Sequence, residues 1–310
     1  MSDAWWRDKD EFARRWAAAD YNLTALADAH GVHGATTQRW KDKHGLTLPD
    51  GLHGNSVRRD VIERRRERER PPLVPILDAE MRLEGDFAVM SDVHLPCTRP
   101  DVFERWIDDA ERAGLTRAIL AGDLFNQDRW SRHEQKQGGA GPDEEREWAR
   151  WAFALMMDAF DHVYLCVGNH DNNLHRKLDY SVTFDRCMRM LVGELPEVDL
   201  DRLTVTGRDY FIVDTDEGEW RICHTYSYSR QPLAYPAKLA MRFGQHVAAG
   251  HRHHHAQGYA PNGKRIVELG GAFDEERMAY VHRFSNDLPR MQNGYMLLRD
   301  GRADCPMLRD

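Results

Sequence analysis

The sequence predicts an α/β protein with two packed sheets flanked by helices, preceded by a small all-α domain. Three observations lead there. From residue 84 onward, apolar runs of strand length alternate with stretches of helix length, the rhythm of strands buried in a largely parallel sheet. Residues 5–45 instead place Trp, Phe, Leu and Ala at helical spacing throughout. Between the two lies a charge-dense stretch that closes on Pro71-Pro72.

Each element has its own signal. Asn22 is expected to cap a helix over residues 23–30 that Gly31 stops. A second helix is expected from about Ala35 to His44, ended by Gly45. Arg58 to Arg70 mixes seven arginines with acidic residues and reads as a solvated helix or flexible linker ended by the prolines. The expected division is therefore a helical domain over 1–48, a charged linker over 49–83 and a second domain over 84–310. Within that domain, strands are expected at 87–90, 118–121, 163–167, 210–213, 220–223, 247–249, 266–269 and 295–298. Helices are expected over 100–113 and 142–160, each opening on a proline that suits a first helical turn.

Composition narrows the function classes. A chain of 310 residues suffices for one sizeable α/β domain with a small appendage. No run approaches the roughly 20 apolar residues of a membrane span, so no membrane partner is expected. The first residues have neither the basic start nor the apolar core of a signal peptide. Five widely spaced cysteines form no CxxC pair, and a reducing cytoplasm is the expected location. Net charge is −8, unevenly spread: residues 1–70 carry 14 basic and 12 acidic side chains, the remainder 29 and 39. An acidic second domain disfavours nonspecific binding to a polyanion unless metal and local arginines offset it.

Five short polar blocks carry most of the functional information: Asp92-Val93-His94, Gly122-Asp123, Gly168-Asn169-His170-Asp171, His224 and Gly250-His251-Arg252-His253. Four of them directly follow an expected strand, and strand ends gather at the sheet edge where open α/β folds place ligands. Carboxylates and imidazoles in such numbers suit a pair of divalent cations, the former favouring manganese, the latter iron or zinc. In Asp-x-His and His-x-His, positions i and i+2 of an extended segment are expected to face one way.

The order of the blocks resembles that of calcineurin-like metallophosphoesterases over about residues 84–300. In that superfamily DxH, GD, GNH followed by an acid, His and GHxH follow one another, and every block is present here. The resemblance implies a two-sheet metallophosphoesterase sandwich holding two divalent ions, manganese first, with iron, zinc or nickel as alternatives. It implies Asp92, His94 and His253 at one metal, Asn169, His224 and His251 at the other, and Asp123 bridging both. His170 would be the acid that protonates the leaving oxygen, with Asp171 orienting it. The block Gly-Asp-Leu-Phe-Asn resembles the GDLFD of DNA double-strand-break-repair nucleases in the superfamily, with Asn126 in the place of the acid. Asn126, with Arg132 and His133 in the polar, aromatic loop that follows, is a candidate for substrate contact. His254 and His255 lengthen the histidine run and are expected to face solvent.

Residues 26–40 resemble a helix-turn-helix, with Leu26-Ala27, Gly31-Val32 at the turn and Arg39-Trp40 closing the second helix. This resemblance would offer Thr36, Gln38, Arg39 and Lys41 to a DNA groove. Thr37 departs from the pattern, which more usually has a buried aliphatic side chain there. Serine/threonine phosphatases of the superfamily carry GDxVDRG and GNHE, which this chain lacks. The leading expectation is a phosphodiesterase acting on nucleic acid and brought to DNA by its N-terminal module, an arrangement suggestive of a phage or mobile-element protein. The alternatives are a phosphodiesterase of small, such as cyclic, nucleotides and a non-catalytic DNA-binding adaptor.

Overall fold

Alternation along single strands sets up the layers of the second domain. In Phe87-Ala88-Val89-Met90, Phe87 and Val89 join one buried cluster while Ala88 and Met90 join another. A strand with both faces buried needs a layer on each side. The computed structural model describes residues 4–49, 79–131, 140–227, 229–278, 291–306 and 308. The linker expected around Arg58 to Arg70, and the candidates Arg132 and His133, lie outside the described residues. The chain divides into two compact units, Met1–Ile76 and Leu77–Asp310.

Among its described residues, the first unit contains three α-helices, α1 (Lys9–Ala18), α2 (Leu23–Ala29) and α3 (Gly34–Lys43). Asn22 caps α2, its Oδ1 accepting from the amides of Thr24 and Ala25. Gly31 and Gly45 sit at φ +62° after α2 and α3, a conformation glycine adopts without steric cost. The helices close around Phe12, Trp16 and Leu26. Thr37 is fully buried, and its hydroxyl lies 2.8 Å from Gly34 O and 3.2 Å from Leu23 O. A hydroxyl is thereby accommodated where an aliphatic group is usual.

Among its described residues, the second unit holds two six-stranded sheets. One has the order β12 (Arg302–Asp304), β11 (Met296–Arg299), β2 (Phe87–Met90), β3 (Arg117–Ala121), β4 (His162–Cys166), β5 (Leu203–Thr206). Strands β2 to β5 run parallel and β11 antiparallel to β2. The other has the order β1 (Arg82–Glu84), β6 (Tyr210–Asp214), β7 (Trp220–His224), β8 (His246–Gly250), β10 (Arg265–Leu269), β9 (His255–Tyr259). Phe87, Val89, Ile119, Phe211, Trp220, Ile222, Val267 and Leu269 fill the space between the sheets.

Helices α4 (Pro100–Arg112), α5 (Pro142–Ala159) and α7 (Phe184–Val192) cover the outer face of the first sheet. In α4 the buried side chains are Val102, Phe103, Trp106, Ile107 and Ala110, one stripe at helical spacing. Burying the larger of these contributes about 1.5–3 kcal/mol each. The short α6 (Asn172–Lys177) precedes α7, and α8 (Ala234–Phe243) covers the second sheet. The fold is thus the expected pair of packed sheets with flanking helices.

Several elements were not foreseen. The edge strands β1, β9 and β12 carry charged or polar residues, and β5 mixes leucine and valine with threonine. An edge strand needs no continuous apolar run, because one side of its ladder faces away from the sheet. Strand β1 pairs with β6, and its first two residues, Arg82 and Leu83, lie in the stretch read as linker.

Candidate metal centre

Five strand ends build the site. Strand β2 leads into Ser91-Asp92-Val93-His94, β3 into Gly122-Asp123, and β4 through Val167 into Gly168-Asn169-His170. Strand β7 ends on His224, and β8 ends on Gly250, just before His251. Ligating atoms of Asp92, His94 and His253 lie within 4.8 Å of one another, as do those of Asp123, His224 and His251. Asn169 Oδ1 is 3.1 Å from His224 Nε2, on the side of the second group. One Asp123 oxygen lies 3.2 Å from His224 Nε2 and 3.9 Å from His94 Nε2, between the groups.

Close backbone approach makes two of the glycines necessary. A Cβ at Gly168 would overlap the Asp123 carboxylate, and one at Gly250 would overlap Ser91 Oγ.

The donors do not converge through strand alternation. Asp92 (φ 51°), His94 (φ 53°), Asp123 (φ 54°), His251 (φ 92°) and His253 (φ 59°) all adopt positive φ. The expectation that Asp-x-His and His-x-His are extended is therefore corrected. The side chains are turned inward by a left-handed backbone at a cost on the order of 1–3 kcal/mol per residue. Such a conformation persists only where surrounding bonds impose it. Here Asp92 N donates to Gly122 O, His94 N to Asp123 O, and His251 N to the Asp92 carboxylate.

Hydrogen bonds on the far side of the rings choose the tautomers. His224 Nδ1 donates to Ala121 O at 3.0 Å, leaving Nε2 directed at the site. Asn126 Nδ2 donates to Asp128 at 2.8 Å, which turns Oδ1 toward His94 Nδ1 at 3.2 Å. His94 then donates through Nδ1 and keeps Nε2 free of hydrogen, facing His253 Nε2 at 3.1 Å and the carboxylates beyond. His253 Nδ1 lies 3.2 Å from Met291 Sδ.

Asn126, expected to contact substrate, is buried and supports His94 instead. Its backbone oxygen accepts from His170 Nδ1 at 2.7 Å. The His170 ring packs edge-on against His94, with centroids 4.7 Å apart, and is only half-buried. Asp171 does not orient that ring. Its carboxylate accepts from the amides of Asp123 (2.7 Å), Phe125 (3.0 Å) and Gly168 (3.1 Å), clamping the β3 and β4 loops together.

Electrostatics follow from burial and the clustered carboxylates. Burial pushes His94 and His251 down to about 4, so both rings are neutral at ordinary pH. Burial also opposes charge on His224, but Asp123 and Asp92 outweigh it and push that ring up to about 10. Asp92 and Asp123 resist the effect of burial and stay below the ordinary carboxylate range because of the surrounding imidazoles. Burial and the Asp123 charge raise Asp171 to about 6. Ionised carboxylates facing imidazole nitrogens form a donor set that fits manganese, iron or zinc.

The remaining sequence candidates are less uniform. Gln38 and Arg39 are exposed on α3, but the Gln38 amide donates to Asp42 at 2.9 Å. Thr36 is half-buried, and Lys41 extends over the Trp16 ring at 5.5 Å. The four do not form one open row. His254 and His255 do not face solvent. Both are buried, His254 against Glu268 and His255 between Leu269 O and Pro306 O. Sequence reasoning also missed Ser91, whose Oγ lies 2.5 Å from Asp92 Oδ2, and Phe273, packed 4.4 Å from the His253 ring. Ser91 could have been noticed as the neighbour of a ligand candidate, whereas nothing local marks Met291 or Phe273.

Comparisons with solved structures return matches at low identity and low TM-score. An archaeal phosphodiesterase aligns with a TM-score of 0.39 and 12% identity, covering 72% of this chain and 99% of that one. The phosphoesterase Yfce from E. coli gives 0.35 and 12%, covering 69% and 88%. Pseudomonas putida nuclease MPE gives 0.31 and 12%, covering 70% and 86%. No curated protein matches the sequence. The family model of calcineurin-like phosphoesterases matches residues 85–255, which include every member of both donor groups. The chain belongs to the calcineurin-like phosphoesterase family and is a metal-dependent phosphoesterase.

Proposed function

We propose that this protein hydrolyses phosphodiester bonds in nucleic acid, with residues 84–310 as the catalytic domain and residues 1–48 as a DNA-binding module. Asp92, His94 and His253 would hold one cation, Asn169, His224 and His251 the other, and Asp123 would bridge them. When bound, the ion pair withdraws charge from phosphoryl oxygens and lowers the pKa of a water. His170 is the general acid. Its Nδ1 donates to Asn126 O, so the proton given to the departing oxygen would come from Nε2. Asp123 Oδ1 accepts from the His170 amide at 2.7 Å, which fixes the acid relative to the metal groups. Asp171 acts one step further away, by holding the loops that carry Asp123 and Asn169.

The observation that carries this reading is the pairing of two donor groups with an imidazole beside them whose outer nitrogen is engaged by the backbone. The nucleic-acid assignment draws support from α2 and α3, joined by a four-residue turn containing Gly31, with Arg39 exposed on the second helix. One observation favours a small-nucleotide substrate instead: beyond residue 70, acidic side chains outnumber basic ones by 39 to 29.

A substrate panel separates the two. The manganese-loaded full-length chain would be assayed on linear and supercoiled DNA, RNA, cyclic nucleotides and a chromogenic phosphodiester. Cleavage of DNA or RNA at rates above those of cyclic nucleotides, with duplex binding weakened by Arg39→Ala, is expected. Turnover of cyclic nucleotides alone would place the small-nucleotide reading first.

A further inference from the structure

Strand β10 carries an acid where its neighbours are apolar. Val267 and Leu269 point into the core between the sheets, and Ile266 points into the outer layer beneath α8. By alternation Glu268 shares the outer face with Ile266, and it is only 3% exposed. A carboxylate buried there requires a partner, because desolvation without one is costly. The partner is His254, itself 3% exposed, whose Nδ1 lies 3.2 Å from Glu268 Oε2.

His254 directly follows the strained segment that supplies His251 and His253, both at positive φ. Other attachments hold the rest of that segment: His251 N donates to the Asp92 carboxylate at 2.9 Å, and His253 Nε2 lies 3.0 Å from Asp92 Oδ1. Arg252 Nε donates to Ser229 O at 3.1 Å, Gln292 N to His253 O at 2.8 Å, and His255 N to Gln292 Oε1 at 3.3 Å. The His254–Glu268 contact ties the end of this segment, through two buried side chains, to a central strand of the sheet, since β10 lies between β8 and β9. Strained backbone persists where its surroundings leave no alternative.

We propose that His254 and Glu268 are a positioning pair that holds the 251–253 segment in its metal-binding geometry. The proposal rests on the reading of His251 and His253 as ligands. Glu268 touches neither metal group nor substrate and acts through His254 on the two histidines before it.

The test compares Glu268→Ala, Glu268→Gln, His254→Ala and, as a control, Ile266→Ala on the same face of β10. Two readouts are taken: amide hydrogen exchange at residues 251–255 in metal-free protein, and manganese affinity by equilibrium dialysis. Glu268→Ala and His254→Ala are expected to speed exchange there tenfold or more. They are also expected to weaken manganese binding by about ten- to hundredfold, the usual effect of losing an outer partner of a metal site. Glu268→Gln keeps an acceptor for Nδ1 and should restore most of both. Ile266→Ala should lower the melting temperature without changing manganese affinity. Wild-type exchange and affinity in both Glu268→Ala and His254→Ala would overturn the proposal, as would equal affinity loss in Ile266→Ala. If Glu268→Ala does not fold, His254→Ala decides alone. Should the wild-type chain bind no manganese while exchange at 251–255 still rises in the variants, the ligand reading fails and the positioning role stands.

Discussion

Asn126 Oδ1 accepts the Nδ1 proton of His94 at 3.2 Å, and Asp128 fixes the direction of that amide by accepting from Nδ2 at 2.8 Å. The side chain expected to reach a substrate instead sets the tautomer of a ligand candidate. Asn126→Ala is therefore expected to weaken metal retention about ten- to hundredfold while the fold persists. Dialysis followed by mass-spectrometric metal analysis checks this, and full retention of both ions would show that His94 needs no such partner.

Asp123 lies between the two donor groups, so its loss should affect both ions. Asp123→Asn is expected to bind neither at full occupancy, whereas Asp92→Asn should chiefly weaken the ion near His94 and His253. Metal stoichiometry of the two variants provides the comparison. Two equivalents retained in Asp123→Asn would rule out a bridging role.

His170→Ala should separate chemistry from binding. Its ring touches His94 only edge-on and its Nδ1 is engaged by Asn126 O, so metal content should stay near wild type. Turnover of esters with alkoxide leaving groups should fall by about 10²–10⁴-fold. Aryl esters, which leave without protonation, should lose much less. Equal losses on both substrates would count against a general acid at this position.

Glu145 gives the protein a pH-dependent cost. It is 3% exposed at the start of α5, and among the described residues no hydrogen bond closes on either carboxyl oxygen, although the Gln127 amide faces it. Burial pushes it up to about 8 from an ordinary 4.5, helped by the charges of Asp128 and Asp171 and opposed by the Gln127 amide. The folded chain keeps this proton after the unfolded chain has released it. Stability therefore falls as pH rises from about 4.5 to about 8, and the penalty is constant above that. Glu145→Gln removes the penalty, so its stability advantage over wild type should grow across this window to the order of a few kcal/mol. Chemical denaturation at pH 5, 6.5 and 8 measures it, and a pH-independent difference would contradict the raised value.

Much of the second unit was legible because its central strands are apolar on both faces. The runs around Phe87, Ala118, Val163, Tyr210, Trp220, Val247, Ile266 and Tyr295 each fall within or overlap a strand. The polar blocks stood out for the complementary reason, as donors placed directly after apolar strands. Edge strands such as His255–Tyr259 escaped notice because one-sided pairing imposes no apolar pattern. Helices α6, α7 and α8 were also missed, although α7 buries Phe184, Cys187, Met188 and Val192 along one stripe.

The sequence by itself determined which residues carry donors and in what order, because Asp, His and Asn keep their chemistry wherever the chain places them. Only the tertiary structure decided how those donors are aimed and what stands behind them. The positive φ of Asp92, His94, Asp123, His251 and His253 is imposed by bonds between loops far apart in sequence. Likewise Asn126 reaches His94 across 32 positions, Asp171 reaches Asp123 across 48, and His254 meets Glu268 across 14. No local pattern encodes such pairings, since each depends on which strands the folded sheets bring side by side.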